Sequence, residues 1–205
     1  MSKSILRSLI PAIALTALAA AAGTAQAQAT TAWTDWTKET TTTMGGRLML
    51  ASGAVTVKFS GPQIYFNQLG EANDRDYWTS GSPDPYAVTG RPTGSDIIGF
   101  TGGTGTTKYK ITFSRPVTDP VIAILSLGRS GIPAKYTFVQ TPTLVSSGIG
   151  YYGGCAECLV VNKRSVVGTE GHGVVRFVGT YQTISWTQPD YENWHGIQVG
   201  APQAQ

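Results

Sequence analysis

Asp119-Pro120-Val121-Ile122-Ala123-Ile124-Leu125-Ser126-Leu127-Gly128 carries a strand signal from which the rest of the architecture follows. A turn dipeptide opens it, a glycine closes it, and the apolar run between them is rich in β-branched residues and too short for a buried helix. Such a run predicts a central strand covered on both faces. Upstream, Ala54-Val55-Thr56-Val57-Lys58-Phe59-Ser60 alternates apolar with polar residues and stops at Gly61-Pro62, which predicts a strand with one face in the core. Similar short runs lie at 96–100, 108–113, 135–139, 143–147, 159–161, 173–178, 183–187 and 196–199. From residue 44 onward helical periodicity is nearly absent. About a dozen strands separated by turn residues predict an all-β fold, an antiparallel two-sheet sandwich of jelly-roll-like type.

The first residues read differently. Lys3 and Arg7 precede an apolar run over 9–22 that closes on Ala25-Gln26-Ala27, the pattern of a cleavable signal peptide over 1–27 with a mature start at Gln28. The run contains Pro11 and falls short of the ~20 residues that a membrane span needs. Cleavage leaves 178 of the 205 residues, enough for one domain. The division expected is a Thr-rich lead-in at 28–43 held by Trp33 and Trp36, a sandwich domain at 44–200 and a short tail at 201–205.

Without Lys3 and Arg7 the chain has 13 basic against 12 acidic side chains, a balance that argues against a nucleic-acid partner. Charged residues are only 13 % of the whole, about half the usual share, and suit an extracellular surface faced with Thr and Ser. No later stretch is apolar and long enough to anchor the chain in a membrane. The expected location is therefore secreted, extracellular or periplasmic.

Cys155 and Cys158 are the only cysteines. Two ligands do not complete a zinc site, and no strand-to-helix setting for a redox pair follows them. A local structural disulfide is the favoured reading, with free thiols and redox chemistry as its alternatives.

Several segments together resemble secreted proteobacterial β-sandwich proteins of the kind that often carry a PEP-CTERM sorting signal. They are Trp33-Thr34-Asp35-Trp36, Tyr77-Trp78-Thr79, Ser95-Asp96-Ile97-Ile98, the block from Ile111 to Ala123, and Ile184-Ser185-Trp186-Thr187 with Glu192-Asn193-Trp194-His195-Gly196. The resemblance implies a secreted sandwich domain associated with polysaccharide-rich surface layers. This chain departs from the pattern, because Val199-Gly200 is followed by five residues and not by the sorting signal, which favours release over anchoring.

Residues 67–95 contain Pro83, Pro85, Pro92 and four glycines, with no periodic segment. A loop of this length is a place to look for function. Tyr77 and Trp78 lie in it, and Tyr151 and Tyr152 lie in a glycine-rich turn. These four are the expected ligand platform, since exposed aromatic rings stack on the apolar faces of sugars; local packing is the plainer alternative. Glu71, Asn73, Asp74 and Asp76 bring four oxygen-bearing side chains together in a candidate structural calcium site, without EF-hand spacing, and an ordinary solvated loop is the alternative. No other cofactor is expected.

No catalytic motif is present. His172, His195, Asp190 and Glu192 are scattered groups that only folding can assemble, and Trp194 and His195 read as a packed aromatic corner, with a ligand platform or an acid-base pair as the alternative. The expected function is a non-catalytic binding or matrix protein recognising extracellular polysaccharide or another surface-layer component. The alternatives are a secreted polysaccharide-acting enzyme and a subunit that self-associates through strand edges.

Overall fold

The structure is a computed structural model and describes residues 30–61, 66–92, 94–103 and 108–205. The expected signal peptide and its cleavage site lie outside these residues. Among the described residues no helix is long and apolar enough to cross a membrane.

The chain folds into two antiparallel sheets packed as a sandwich. In chain order the strands are β1 (Thr31–Trp33), β2 (Asp35–Glu39), β3 (Thr43–Leu50), β4 (Gly53–Ser60), β5 (Phe66–Gln68), β6 (Ile97–Gly102), β7 (Lys108–Thr118) and β8 (Val121–Leu127). They continue with β9 (Ala134–Phe138), β10 (Thr143–Gly148), β11 (Leu159–Asn162), β12 (Ser165–Gly168), β13 (Gly171–Arg176), β14 (Thr180–Thr187) and β15 (Tyr191–Pro202). One sheet runs β10-β13-β8-β15-β6-β5, with β1 also on β15; the other runs β11-β12-β9-β14-β7-β4-β3-β2. From β6 onward the chain passes repeatedly from one sheet to the other, the jelly-roll-like crossing that the strand pattern predicts.

The alternating and the continuous apolar runs behave as expected. In β4 the buried positions are Val55, Val57 and Phe59, with polar side chains between them in solvent. Every residue of β8 is buried. Ile122, Ile124 and Leu127 face the other sheet, among Phe59, Phe100, Tyr109, Tyr136, Phe138, Phe177 and Trp186. Val121, Ala123 and Leu125 face outward, into a second cluster with Trp33, Trp78, Tyr86 and Ile97.

That second cluster is closed by the 67–95 loop. Trp78 is 0 % exposed, packs edge-on against Tyr86 at 5.4 Å and donates from Nε1 to the Asp96 carbonyl at 2.9 Å. Tyr86 donates from its hydroxyl to the carbonyl of Ile124 in β8 at 3.2 Å. The loop is tied to the β10 edge as well, through Gly81 N to Ile149 O at 2.8 Å, Ile149 N to Pro83 O at 2.9 Å and Ser146 Oγ to Pro85 O at 2.6 Å. The expectation that Trp78 is an accessible loop aromatic is thus corrected. The strand run required cover on both faces, and this loop supplies it on the outer one.

Two boundaries also shift. Residues 31–39, expected as a lead-in, form β1 and β2, with Trp36 fully buried and its indole donating to Gln198 Oε1 at 2.7 Å. The expected tail is packed too, with Ala201 and Pro202 in β15 and the Gln205 side chain bonded to the N–H and carbonyl of Thr118. The run expected at 108–113 extends through Arg115-Pro116. β7 continues to Thr118 because its pairing with β14 skips from Thr112 to Val117, so that Pro116 needs no ladder hydrogen bond there.

Asp96, at the start of β6, has its carboxyl pushed up to about 7, first by burial and next by Asp35, against a bond from the Trp36 backbone. An unfolded aspartate titrates near about 3.9, so between these values the folded state holds the proton more tightly. Stability is therefore expected to fall as pH rises from about 4 to about 7. Melting temperatures across that range should show the decline, and Asp96→Asn should flatten it.

Candidate functional site

β8 ends where β13 and β15 begin, because both are antiparallel to it: Leu127 pairs with Gly171 and Leu125 with Gly196. This end of the sheet gathers Ser126, Glu170, His172, Glu192 and His195. Side chains alternate along β8 until Ser126, where φ is 58° and the alternation resets, so that Leu127 takes the inward position. Opposite it, the β13 register shifts between Gly171 and Gly173, and Glu170 has φ of 68°. Two non-glycine residues in the left-handed region cost on the order of 1–3 kcal/mol each, and such costs gather at functional sites.

The Ser126 hydroxyl donates to Glu170 Oε1. The same carboxylate oxygen lies 3.6 Å from His172 Nε2. His172 is fully buried, and its Nδ1 accepts from the Ser126 backbone N–H at 3.3 Å, which places the proton of the neutral ring on Nε2, toward Glu170. Nearby, Glu192 Oε1 contacts His195 Nδ1. The His195 ring stands edge-on to Phe100 at 4.3 Å, so this buried pair reaches into the main core. Burial foremost, and then Glu192, pushes the Tyr136 hydroxyl well up, which keeps it a neutral phenol.

Ser126, Glu170 and Glu192 line an open cleft of about 190 Å³ together with Gly128, Arg129 and Asn193, walled by Tyr152 and Trp194. The wall is one face of a four-ring cluster. Tyr77 meets Tyr151 at 5.1 Å, Trp194 at 5.4 Å and Tyr152 at 6.2 Å, and Tyr152 meets Trp194 at 5.5 Å. Arg75 donates to the Tyr151 hydroxyl at 2.6 Å. Tyr152 is 45 % exposed; its hydroxyl is shifted up by burial first, then by Tyr77 and Tyr151.

The turn that carries Tyr151 and Tyr152 is fixed by reciprocal bonds between Gly150 and Gly153 of 2.8 and 3.1 Å. It lies directly on the histidine: a Cβ on Gly150 would overlap the His172 ring, and one on Gly154 the Glu170 carbonyl. Glycine is required there by close approach. Cys155 and Cys158 are joined in a disulfide immediately afterwards. The bridged turn is held by Ser147 Oγ to the Ala156 carbonyl and by Thr169 N to Cys158 O at 2.9 Å.

Of the four expected platform aromatics, the structure brings Tyr77, Tyr151 and Tyr152 together and sends Trp78 into the core. Trp194, expected as a packed corner, lies against the outer core cluster and also completes the ring cluster. Two of the candidate calcium ligands bond to nearby backbone. Asp74 accepts the Glu71 backbone N–H at 2.9 Å and Asp76 that of Trp78 at 2.8 Å, so both carboxylates shape turns. Among the described residues no three His, Cys, Asp or Glu side chains are placed to hold a metal ion. Sequence reasoning did not single out Ser126, Arg129 or Glu170; the one available signal was a lone hydroxyl at the end of an otherwise apolar run. No family model, curated protein or solved structure matches the chain.

Proposed function

We propose that the protein is an exported β-sandwich that binds extracellular polysaccharide, with a sugar ring stacked on the Tyr152 and Trp194 wall and its hydroxyls turned into the cleft. The observation that carries this reading is the four-ring cluster at the mouth of a cleft lined by charged and amide side chains. The C–H face of a pyranose is apolar and matches an aromatic ring, while its hydroxyls are donors and acceptors for Glu170, Asn193 and Arg129. A few fixed polar groups beside an apolar wall is the usual construction of a small-ligand site. Export is supported by the amino-terminal signal pattern and by the disulfide, which suits an oxidising compartment.

A glycan array, together with a pull-down using exopolysaccharide from the producing cell, tests the reading. Tyr152→Ala is expected to weaken binding by about tenfold or more, in line with the loss of one stacking ring. Because Tyr152 is half exposed, its melting temperature should stay near that of the parent. Absence of binding across the array would refute the proposal.

A further inference from the structure

We propose that Ser126 is a nucleophile activated by Glu170, and that the cleft hydrolyses short-chain esters carried on a saccharide. The saccharide half of this assignment rests on the binding reading above; the serine half does not. Four observations meet at this residue. Its hydroxyl already donates to a carboxylate that lines the same cleft. It stands where β8 breaks its alternation, at φ of 58°, and its partner Glu170 stands at φ of 68° across the ladder. His172 lies 3.6 Å from that carboxylate on a fully buried ring, under a glycine turn that admits no side chain. Beside them Arg129 and the Tyr152 wall leave room for a small acyl group and its alcohol.

The chemistry balances without a cofactor. Ser126 Oγ adds to the ester carbonyl carbon while its proton passes to Glu170. The tetrahedral adduct collapses, the bond from carbon to the sugar oxygen breaks, and Glu170 returns the proton to that oxygen, releasing the sugar alcohol and leaving Ser126 acylated. Water then adds to the acyl carbon, giving a proton to Glu170. The bond to Oγ breaks, Ser126 regains the proton, and the acid leaves. The net change is ester plus water to acid plus alcohol.

A fluorophosphonate probe and p-nitrophenyl acetate test this on the full chain without any glycan. The expected result is one covalent adduct on Ser126, located by peptide mass spectrometry, with fluoride released. Ester turnover should be lost in Ser126→Gly, a residue that accepts the left-handed backbone, and should fall by about 100-fold in Glu170→Gln. Thermal unfolding establishes that both variants fold, and labelling of the parent chain needs no variant. No adduct on Ser126 between pH 5 and 9, or equal turnover by the parent and Ser126→Gly, overturns the proposal. A labelled Ser126 in a protein that binds no glycan would keep the nucleophile and discard the saccharide. Glycan binding with Ser126 unlabelled would do the reverse.

Discussion

Trp78→Ala is expected to destabilise the protein by about 3–5 kcal/mol, the cost of truncating a buried tryptophan and leaving a cavity behind. The ring is fully buried, its N–H is bonded to the Asp96 carbonyl, and it closes the outer cluster over Val121, Ala123 and Leu125. Trp186→Ala, in the main core against Tyr109 and Phe138, should cost a similar amount. Urea unfolding of the two variants makes the comparison directly. A Trp78→Ala cost under about 1 kcal/mol would mean that the 67–95 loop is not part of the folded core.

The second large effect is expected at Gln198. Its fully buried amide accepts from the Trp36 indole at 2.7 Å and donates to the Thr34 carbonyl at 2.9 Å. Trp36 belongs to β2 of one sheet and Gln198 to β15 of the other, so a single side chain joins the two layers through polar bonds. Gln198→Leu keeps the volume and strands these two groups, and the Val199 N–H that also donates to Gln198 Oε1 at 2.8 Å, in a dry interior, at about 1–3 kcal/mol for each. A total of about 3–5 kcal/mol is expected by denaturant unfolding. Adding Trp36→Phe, which removes the stranded donor, should cost less in the Gln198→Leu background than in the parent. Simple additivity would show that the two side chains are not coupled.

The fold was legible because strands write their burial into the sequence. β4 alternates, β8 does not, and each pattern states how many faces are covered. The 67–95 loop was not legible because what orders it has no period: Asp76 and Asp84 each close a turn onto the backbone of the aromatic residue two positions on, and those rings then find the sheet. Tyr77 and Trp78 are neighbours in that turn and both pack on the outer cluster, Trp78 fully buried and Tyr77 partly so, and nothing local says which ring goes deeper. The candidate site was hidden for another reason. Ser126 and Glu170 are 44 residues apart and meet only because β8 and β13 pair in that register.

The place of β15 bears on the order in which the molecule can form. The last strand lies between β8 and β6, and it also pairs with the first, Trp33 opposite Gly200. In a chain made at roughly 5–20 residues per second, every other described strand is therefore synthesised before the one that joins them. Until then the edges of β8 and β6 are open, and the contacts that close the sheet span nearly the whole described sequence. Folding of this kind is slow, on the order of milliseconds to seconds.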